Sequence, residues 1–299
     1  MKKFEKWNIA FRPRKSNLTL MTDTNSPFTV IPNTWRYWCA DPHLVEFNNK
    51  TYIFAELYDR VLRRGVIGYC TISDNTASKW KAALSTPFHL SYPNVFCFDS
   101  NIYMIPESYV AEEIAVYKAK NFPNNWKKVK ILKKDIITVD STPLEINDEN
   151  FLLSYLLRDD NGCLKLFKYN NDLKTCFSIP DTDKQLRPAG NFFKIDNILY
   201  RPAQDCKNGY GSALNFYSVD NISDTNYSET LFKKITPQMI TTDTNIVSHG
   251  IHTYNFNDKY EVIDIKGYEI DILFYIMRPI WYLKRRLIKF FTKEQNNGI

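Results

Sequence analysis

The sequence repeats one unit about every fifty residues, and this repetition restricts the fold more than any other feature. In the first two copies Pro42 stands ten residues before Tyr52, and Pro93 stands ten residues before Tyr103. Each copy has two short apolar runs separated by a turn of Asn, Asp or Ser residues, which is typical of a β-hairpin. The five copies begin at residues 41, 92, 140, 187 and 249.

Repeated all-β units of this length indicate a β-propeller, because each small sheet can bury its faces only against neighbouring sheets. Further strand-like runs, such as 65–70, fill the gaps between the hairpins, and 15% of the residues are aromatic, which suits strands. We therefore predict an all-β, five-bladed β-propeller over residues 1–267, with the N-terminal segment completing the last blade. A β-sandwich with insertions is the alternative, but it would not explain why Glu56 and Glu107 recur in register.

Residues 268–299 have a different pattern. Apolar side chains between Ile280 and Phe291 fall on one side of a helix with about 100° per residue, and most basic side chains fall on the other. The segment is too short and too interrupted by Arg278 and Pro279 to span a bilayer, which takes about 20 apolar residues. A C-terminal basic amphipathic helix is typical of an anchor on an anionic membrane surface, here through 268–291. The alternative is a helix that packs on the propeller.

Positive charge is concentrated at the two ends of the chain. Residues 1–15 and 278–299 each carry a net charge of +5, so that residues 16–277 sum to −4. An acidic body argues against nucleic acid as a partner, because phosphate contacts need a basic face on the fold itself. The first residues lack the apolar core of a secretory signal, and the six cysteines are scattered, as in reduced proteins. We expect a cytoplasmic protein, peripheral on the inner face of the plasma membrane.

Polar residues at the start of each inner strand of a propeller can meet at the axis although they are far apart in sequence. On this basis Asp41, Asp140 and Arg187 should surround one mouth of the axial channel, and His249 should join them. We expect catalytic carboxyl groups at Asp41, Glu107 and Asp140, because neighbouring carboxyl groups have divergent pKa values and can serve as acid and base in glycosidic chemistry. The expected substrate-binding residues are His43, Tyr92, Arg187, Arg201, Gln204, Asp205, His249 and His252.

Each of these residues also has a structural alternative as a turn residue, a strand cap or half of an ion pair between blades. Glu56 is taken as structural. We expect no metal site, because no Cys or His residues are grouped at the spacing of a zinc site. We expect no cofactor, because the sequence has no glycine-rich nucleotide-binding loop and no hydrolase nucleophile elbow.

Several short motifs, taken in order, resemble a known family. They include His89-Leu90-Ser91-Tyr92-Pro93, Val139-Asp140-Ser141-Thr142, Leu186-Arg187-Pro188-Ala189-Gly190 and Arg201-Pro202-Ala203-Gln204-Asp205-Cys206. Together they resemble the propeller domain at the N-terminus of plant glucosamine inositolphosphorylceramide transferases, from about Trp38 to Asn255. Similar stand-alone proteins occur among bacterial surface-glycan genes.

The wider clan is similar to five-bladed arabinanases, xylosidases and fructosidases. The resemblance implies that Asp41 serves as base or nucleophile, and that Asp140 and Glu107 are the nearest matches to the other two acids. The order here is Asp, Glu, Asp, whereas those hydrolases have Asp, Asp, Glu, so the resemblance does not by itself assign the general acid.

Three functions fit these observations. The favoured one is a glycosyltransferase-like enzyme in bacterial capsule or O-antigen biosynthesis, acting on a carbohydrate, sugar-nucleotide or lipid-linked glycan substrate. The second is a glycoside hydrolase of the same fold. The third is a glycan-binding propeller without chemistry, whose axial polar groups only recognise sugar hydroxyls.

Overall fold

The computed structural model describes residues 3–15, 18–157, 162–223, 225–244, 246, 248–279 and 282. Five antiparallel sheets form a ring, which confirms the predicted five-bladed β-propeller. The chain begins with β1 (Lys3–Pro13) and β2 (Thr29–Val30), which belong to the last blade. Blade 1 contains β3 (Tyr37–Phe47), β4 (Lys50–Asp59), β5 (Arg64–Ser73), β6 (Thr76–Ala77) and β7 (Lys81–Leu84).

The remaining blades follow in chain order. Blade 2 contains β8 (Ser91–Phe98), β9 (Asn101–Glu107), β10 (Glu113–Asn121) and β11 (Asn124–Lys134). Blade 3 contains β12 (Thr138–Ile146), β13 (Glu149–Leu156), β14 (Cys163–Asn170) and β15 (Asp172–Pro180). Blade 4 contains β16 (Arg187–Pro188), β17 (Phe193–Ile195), β18 (Ile198–Asp205), β19 (Ala213–Ile222) and β20 (Tyr227–Ile235). Blade 5 contains β21 (Tyr254–Phe256) and β22 (Tyr260–Ile270), and short 3-10 turns span Tyr109–Ala111 and Pro237–Met239.

The ring is closed by pairing between the two ends of the propeller. Strand β1 pairs with β22 along its whole length, from Lys3 opposite Ile270 to Pro13 opposite Tyr260. The fifth repeat supplies only two strands, so blade 5 is built from both ends of the chain. This arrangement leaves no open seam between the first and last blades.

The first two strands pair in an equivalent register in every blade. The equivalent pairs are Ala40 with Glu56, Ser91 with Glu107, Val139 with Tyr155, Arg187 with Gln204, and Gly250 with Lys266. We call the end of the ring where β4, β9, β13, β18 and β22 end the upper face. The lower face carries the hairpin turns between the first two strands of each blade.

Apolar side chains fill the spaces between blades. The buried residues form five clusters, and each cluster joins two neighbouring blades. For example, Ile9 and Val262 of blade 5 pack with Ile53 and Leu57 of blade 1. Burial of such a side chain contributes about 1.5–3 kcal/mol, so the ring is held mainly by these contacts between blades.

The predicted turns on the lower face have the expected backbone geometry. Asn48 and Asn49 have φ values of 48° and 59°, and Asp196 and Asn197 have values of 49° and 64°. Two successive positive φ values define the hairpin turn that matches strand twist, and Asn and Asp tolerate it best.

A short helix follows β22, and we name it α1 (272–279); residue 282 is also helical. Asp271 caps it, since its Oδ1 accepts a hydrogen bond from the amide of Phe274 at 2.9 Å. No helical stretch within the described ranges has the length and apolar content needed to pass through a bilayer. The predicted amphipathic pattern at 280–291 lies outside the described residues, apart from Tyr282.

Candidate functional site

Three inner strands share a backbone irregularity near the upper face. Strand pairing shifts by one residue between Ala40 and His43, and the same shift occurs in β8 and β12. Asp41, Tyr92 and Asp140 stand in these bulges with left-handed φ values of 55°, 40° and 51°. A non-glycine residue in this conformation costs about 1–3 kcal/mol, and bulges of this kind commonly re-aim a side chain at a functional site.

Asp41 joins three blades at the axis. Its Oδ2 accepts a hydrogen bond from the amide of Tyr92 in blade 2 at 3.1 Å. Its Oδ1 accepts a hydrogen bond from the hydroxyl of Thr253 in blade 5, also at 3.1 Å. Its own amide donates to Oδ2 of Asp264 at 3.0 Å. The carboxyl group is therefore buried and fixed in orientation by neighbouring blades.

His252 lies between two carboxyl groups. Its Nε2 is 3.3 Å from Oδ1 of Asp41, and its Nδ1 is 2.6 Å from Oδ2 of Asp264. The imidazole ring stacks on the indole of Trp7 at a centroid distance of 4.0 Å. These contacts make a carboxyl–imidazole–carboxyl chain that can hold or pass a proton.

The groups around Asp41 bring the pKa of its carboxyl group close to neutral pH. Burial raises the pKa of Asp41 to about 6, with the charge of His252 opposing the shift and Asp140 and Asp264 adding to it. Burial alone would lower the pKa of His252, but the neighbouring Asp264 and Asp41 outweigh it and the pKa is raised. A carboxyl group with a pKa of about 6 can accept or release a proton close to physiological pH.

Asp41, His252 and Asp264 could also hold a metal ion, since their potential ligand atoms lie within 4.8 Å of one another. This group was not predicted from the sequence, from which no metal site was expected. However, each carboxylate oxygen in it already faces a donor from the chain: Oδ1 of Asp264 accepts the amides of His252 and Thr253, both at 3.0 Å. The protein's own hydrogen bonds are therefore sufficient to hold the arrangement.

Arg187 organises the other half of the site. Its Nε donates to Oδ2 of Asp140 in a very short contact, and its Nη2 lies 3.6 Å from Oε2 of Glu107. Gln204 also donates to Oδ2 of Asp140, at 2.8 Å. The guanidinium carbon stands 5.4 Å from the centroid of the Tyr210 ring. Blades 2, 3 and 4 therefore meet at one arginine.

Glu107 is the group in this half that favours its protonated form. Burial and the neighbouring Asp140 carboxylate raise the pKa of Glu107 well above its usual range, although Arg187 opposes the shift. Its Oε2 has no hydrogen-bond partner within the described part of the chain. A neutral carboxylic acid can donate this proton to a leaving group.

His43 and Tyr92 line the space between the two halves. Burial lowers the pKa of His43 to about 4, so the ring is neutral at pH 7. The His43 ring meets the edge of the Tyr92 ring at 4.6 Å, and the hydroxyl of Tyr92 is 2.9 Å from the hydroxyl of Thr142. Among the described residues Nε2 of His43 has no hydrogen-bond partner, although the ring is fully buried.

The structure thus brings together most of the residues selected from the sequence. The buried group contains Asp41, His43, Tyr92, Glu107, Asp140, Arg187, Gln204 and His252, with Arg187 at its edge. Their contacts with one another are structural facts, whereas their catalytic or binding roles stay predictions.

Arg201 and Asp205 do not join this group. Arg201 is bound to Glu229 of β20, with its Nε 2.7 Å from Oε2, and Asp205 accepts from Lys234 of β20 at 2.6 Å. Successive side chains of a strand point to opposite faces, so both lie on the side of β18 opposite to Gln204. These two side chains hold blade 4 together, and their expected contact with substrate stays a prediction.

His249 does not lie beside Asp41. It is exposed, and its ring packs against Tyr268 at 5.2 Å. The position beside Asp41 is taken by His252, three residues later. The amide of His249 donates to the Lys266 carbonyl at 2.7 Å, and the predicted role of His249 in substrate binding stays a prediction.

Three further residues at the site were missed. Asp264 is a single acid within an apolar run of β22, and that interruption is the signal that could have found it. Glu56 has its Oε1 3.3 Å from Nε2 of His89, and burial together with Asp41 raises its pKa well above the usual range. Tyr210 stands between Gly209 and Gly211 and meets the ring of His252 at 5.0 Å, but it was not selected as a site residue.

Residues 29–246 match the family described as "Glucosamine inositolphosphorylceramide transferase 1, N-terminal". The chain belongs to this family. The matched range contains the inner strands of blades 1 to 4, and therefore Asp41, Glu107, Asp140 and Arg187. His252 and Asp264 come after it.

Curated members of this family are similar to part of the chain. Glucosamine inositolphosphorylceramide transferase 1 from Oryza sativa subsp. japonica is 30% identical over 208 residues, which cover 64% of this chain and 27% of that protein. The protein of the same name from Arabidopsis thaliana is 31% identical over 208 residues, covering 64% and 26%. The matched part of the chain thus spans about a quarter of the length of these relatives.

Solved structures with the same fold are more distant from this chain in sequence. An α-L-arabinofuranosidase from Podospora anserina, in complex with cellotriose, is 12% identical with a TM-score of 0.57, covering 78% of this chain and 91% of that one. The catalytic domain of an α-L-arabinofuranosidase from Coprinopsis cinerea is 14% identical with a TM-score of 0.54, covering 76% and 90%. At such low identity these likenesses show the propeller fold alone.

Proposed function

We propose that this chain is a glycan-active propeller that works as a glycosyltransferase-like enzyme. Its acceptor would be an oligosaccharide or a lipid-linked glycan, and its biological role the assembly of a surface polysaccharide such as a bacterial capsule or O-antigen. The family relationship supports a glycan substrate, since its curated members are named glucosamine inositolphosphorylceramide transferases. The observation that carries the proposal is the pair Asp41 and Glu107.

These two carboxyl groups face one buried, polar mouth with different proton affinities. Asp41 has a pKa of about 6 and is mostly ionised at pH 7, whereas Glu107 favours the protonated form. One ionised and one neutral carboxyl group are what acid–base chemistry at an anomeric carbon requires. Arg187 lies between Glu107 and Asp140 and can bind an anionic group of the substrate.

In the transfer reaction Asp41 takes the proton from a hydroxyl group of the acceptor. The hydroxyl oxygen forms a bond to the anomeric carbon of the donor sugar, and the bond from that carbon to the leaving phosphate oxygen breaks. Arg187 stabilises the negative charge that remains on the phosphate, and Glu107 can donate a hydrogen bond or a proton to it. His252 positions Asp41 and shares its proton.

A glycoside hydrolase is the second candidate, and the protonated state of Glu107 favours it. In that reaction Glu107 protonates the glycosidic oxygen, and Asp41 activates a water molecule or attacks the anomeric carbon. The same two groups serve both reactions, so the difference lies in whether an acceptor hydroxyl or water occupies the place beside Asp41.

Localisation is part of the proposal. We place the protein in the cytoplasm, at the inner face of the plasma membrane, where anionic lipids attract basic segments. The net charge of +5 on residues 278–299 supports this position.

The test uses the purified full chain with sugar-nucleotide donors, lipid-linked and soluble acceptors, and unmodified oligosaccharides. Transfer would appear as an extended acceptor, and hydrolysis as released reducing sugar. Asp41→Asn should lower the observed activity by about 10²–10⁴-fold, because it removes the base. Asp99→Asn is the matched control, since Asp99 also has a left-handed φ of 45° but stands in a turn on the lower face.

The result can go against either assignment. Activity that survives Asp41→Asn at the level of Asp99→Asn would refute the role of Asp41. Binding of oligosaccharides by the wild type and by Asp41→Asn, with no turnover of any donor, would favour the glycan-binding alternative.

A further inference from the structure

Exposed large apolar side chains are concentrated on the upper face, around the mouth of the site, and every blade contributes to them. They are Trp35 and Leu62 of blade 1, Tyr109 and Val110 of blade 2, Ile137 and Leu157 of blade 3, Tyr210 of blade 4, and Tyr268, Ile270, Ile272 and Ile276 at the end of blade 5. The lower face has fewer among the described residues, including Phe98 and Ile198. Apolar surface gathered on one side of a protein marks an interaction surface.

The most exposed of these side chains are Trp35, Ile272 and Ile276, and we call these three the apolar patch. Their side chains are 70%, 62% and 62% exposed, so each presents most of its area to the outside. Ile272 and Ile276 are four residues apart and lie on the same side of α1. The patch belongs to the same face as the mouth.

The patch is fixed to the propeller by polar and aromatic contacts. Arg60 donates to the carbonyl of Trp35 at 3.2 Å and pairs with Asp271 at the start of α1. The ring of Phe274 packs on Phe4 of β1 at 4.7 Å. Since Phe274 faces the propeller, the opposite side of α1, with Ile272 and Ile276, faces away from it.

The charge of the chain indicates which kind of partner binds the apolar patch. Arg36 follows Trp35 in the chain and Arg60 contacts its carbonyl, and both arginines are paired with carboxylates. The sequence that follows α1 is basic, with Lys284, Arg285, Arg286 and Lys289, and residues 278–299 carry a net charge of +5. An apolar face that is followed in the sequence by an unbalanced positive charge suits an anionic lipid surface, which takes both.

A second copy of the chain fits this surface less well. A symmetric dimer formed through the upper faces would cover the mouth of the axial site. A bilayer surface neutralises the positive charge and can supply a lipid-linked molecule to the mouth.

We propose that the upper face docks on the surface of an anionic lipid bilayer, with the apolar patch in the headgroup region and the mouth of the site turned towards the lipid. Side chains of such an interface enter a bilayer by about 5–10 Å, so the propeller lies on the membrane and does not cross it. A lipid-linked glycan would then reach Asp41 from the plane of the membrane. The docking itself does not depend on which reaction the site performs.

The test is flotation of the full chain with vesicles of phosphatidylcholine alone, or with a third of the lipid replaced by phosphatidylglycerol. The triple variant Trp35→Ser, Ile272→Ser, Ile276→Ser should lower the partition onto the anionic vesicles by about tenfold or more. The matched control is Phe98→Ser, Val129→Ser, Leu231→Ser, which removes three exposed apolar side chains away from the upper face. It should float like the wild type, and the melting temperatures of both variants should stay unchanged.

The orientation has its own readout in tryptophan fluorescence. In a Trp281→Phe background, which removes the tryptophan of the predicted amphipathic segment, lipids brominated near the headgroup should quench part of the emission, and Trp35→Phe should remove that part. Asp41→Asn should float and be quenched like the wild type, which separates docking from chemistry. Equal flotation of both triple variants would overturn the proposal, as would a dimer that the Trp35 triple variant dissociates without any change in flotation.

Discussion

Asp41 and Asp140 occupy the same position in blades 1 and 3, but their neighbours differ. Both stand in a bulge of the inner strand with a left-handed φ, 55° and 51°. Asp41 faces His252 and two hydrogen-bond donors from adjoining blades, whereas Asp140 is bound by Arg187 and Gln204. The repeat therefore sets where the carboxyl group points, and the adjoining blade sets its electrostatic surroundings.

Because their neighbours differ, we expect Asp41 and Asp140 to have different roles at the site. A histidine can share or return a proton, so Asp41 is suited to proton transfer near its pKa of about 6. An arginine stays charged at all accessible pH values, so Asp140 is suited to holding Arg187 in place. We expect Asp140 to matter more for the stability of the site and Asp41 more for its pH dependence.

The largest expected effect comes from breaking the pair between Asp140 and Arg187. Asp140→Ala leaves a largely buried guanidinium without its main partner, and the free energy of unfolding should fall by about 3 kcal/mol. Urea unfolding of the purified protein at pH 7 measures this. The double variant Asp140→Leu, Arg187→Met, which removes both charges, should recover most of the loss. If the double variant is as unstable as Asp140→Ala, the loss comes from packing and not from an unpaired charge.

A smaller effect is expected from the pH dependence of Asp41. Its pKa is raised from 3.8 to about 6, so between these values the folded chain holds a proton that the unfolded chain has released. The free energy of unfolding should therefore fall as pH rises through this range. The raised pKa of His252 adds a second loss, because its charge stabilises the fold below about pH 6.5 and this contribution disappears as pH rises through its folded pKa.

Asp41→Asn should remove the first of these losses. Relative to the wild type, the variant should gain on the order of 2 kcal/mol as pH rises from about 4 to about 6. The gain is smaller than the pKa shift of Asp41 alone would give, because His252 loses one of its two carboxyl neighbours. Unfolding curves at several pH values measure the difference, and Asp99→Asn serves as the control. Parallel pH profiles for Asp41→Asn and the wild type would contradict the raised pKa.

The sequence allowed the ring and half of the site to be predicted, and the reasons are specific. Asp41, Asp140 and Arg187 could be placed at the axis because each begins a copy of the repeat. The two Arg-Pro pairs look alike in sequence, but Arg187 begins an inner strand, whereas Arg201 lies inside β18 on the side that faces Glu229. Only the register of β18 against its neighbours separates them, and register is set by contacts between strands.

The positions of the two histidines could not be predicted either, because their segment has no repeating pattern of apolar residues. Residues 236–253 form no strand within the described ranges, so neither alternation nor spacing says which of His249 and His252 points inwards. The choice depends on Trp7, which lies at the other end of the chain and stacks on His252. Such a contact follows only from the closure of the ring.

The smallest effect is expected at His249, and it is measured against the same substitution at His252. His249→Ala removes an exposed ring that packs against Tyr268 at 5.2 Å, so the free energy of unfolding should change by no more than about 0.5 kcal/mol. His252→Ala is the matched substitution, and it should cost about 2 kcal/mol and flatten the profile above about pH 6.5, because Asp41 and Asp264 lose the charge between them. Unfolding curves across this pH range compare the two variants directly. If the profile of His252→Ala stays that of the wild type, the imidazole beside Asp41 does not carry the charge assigned to it, and the raised pKa of Asp41 must have another cause.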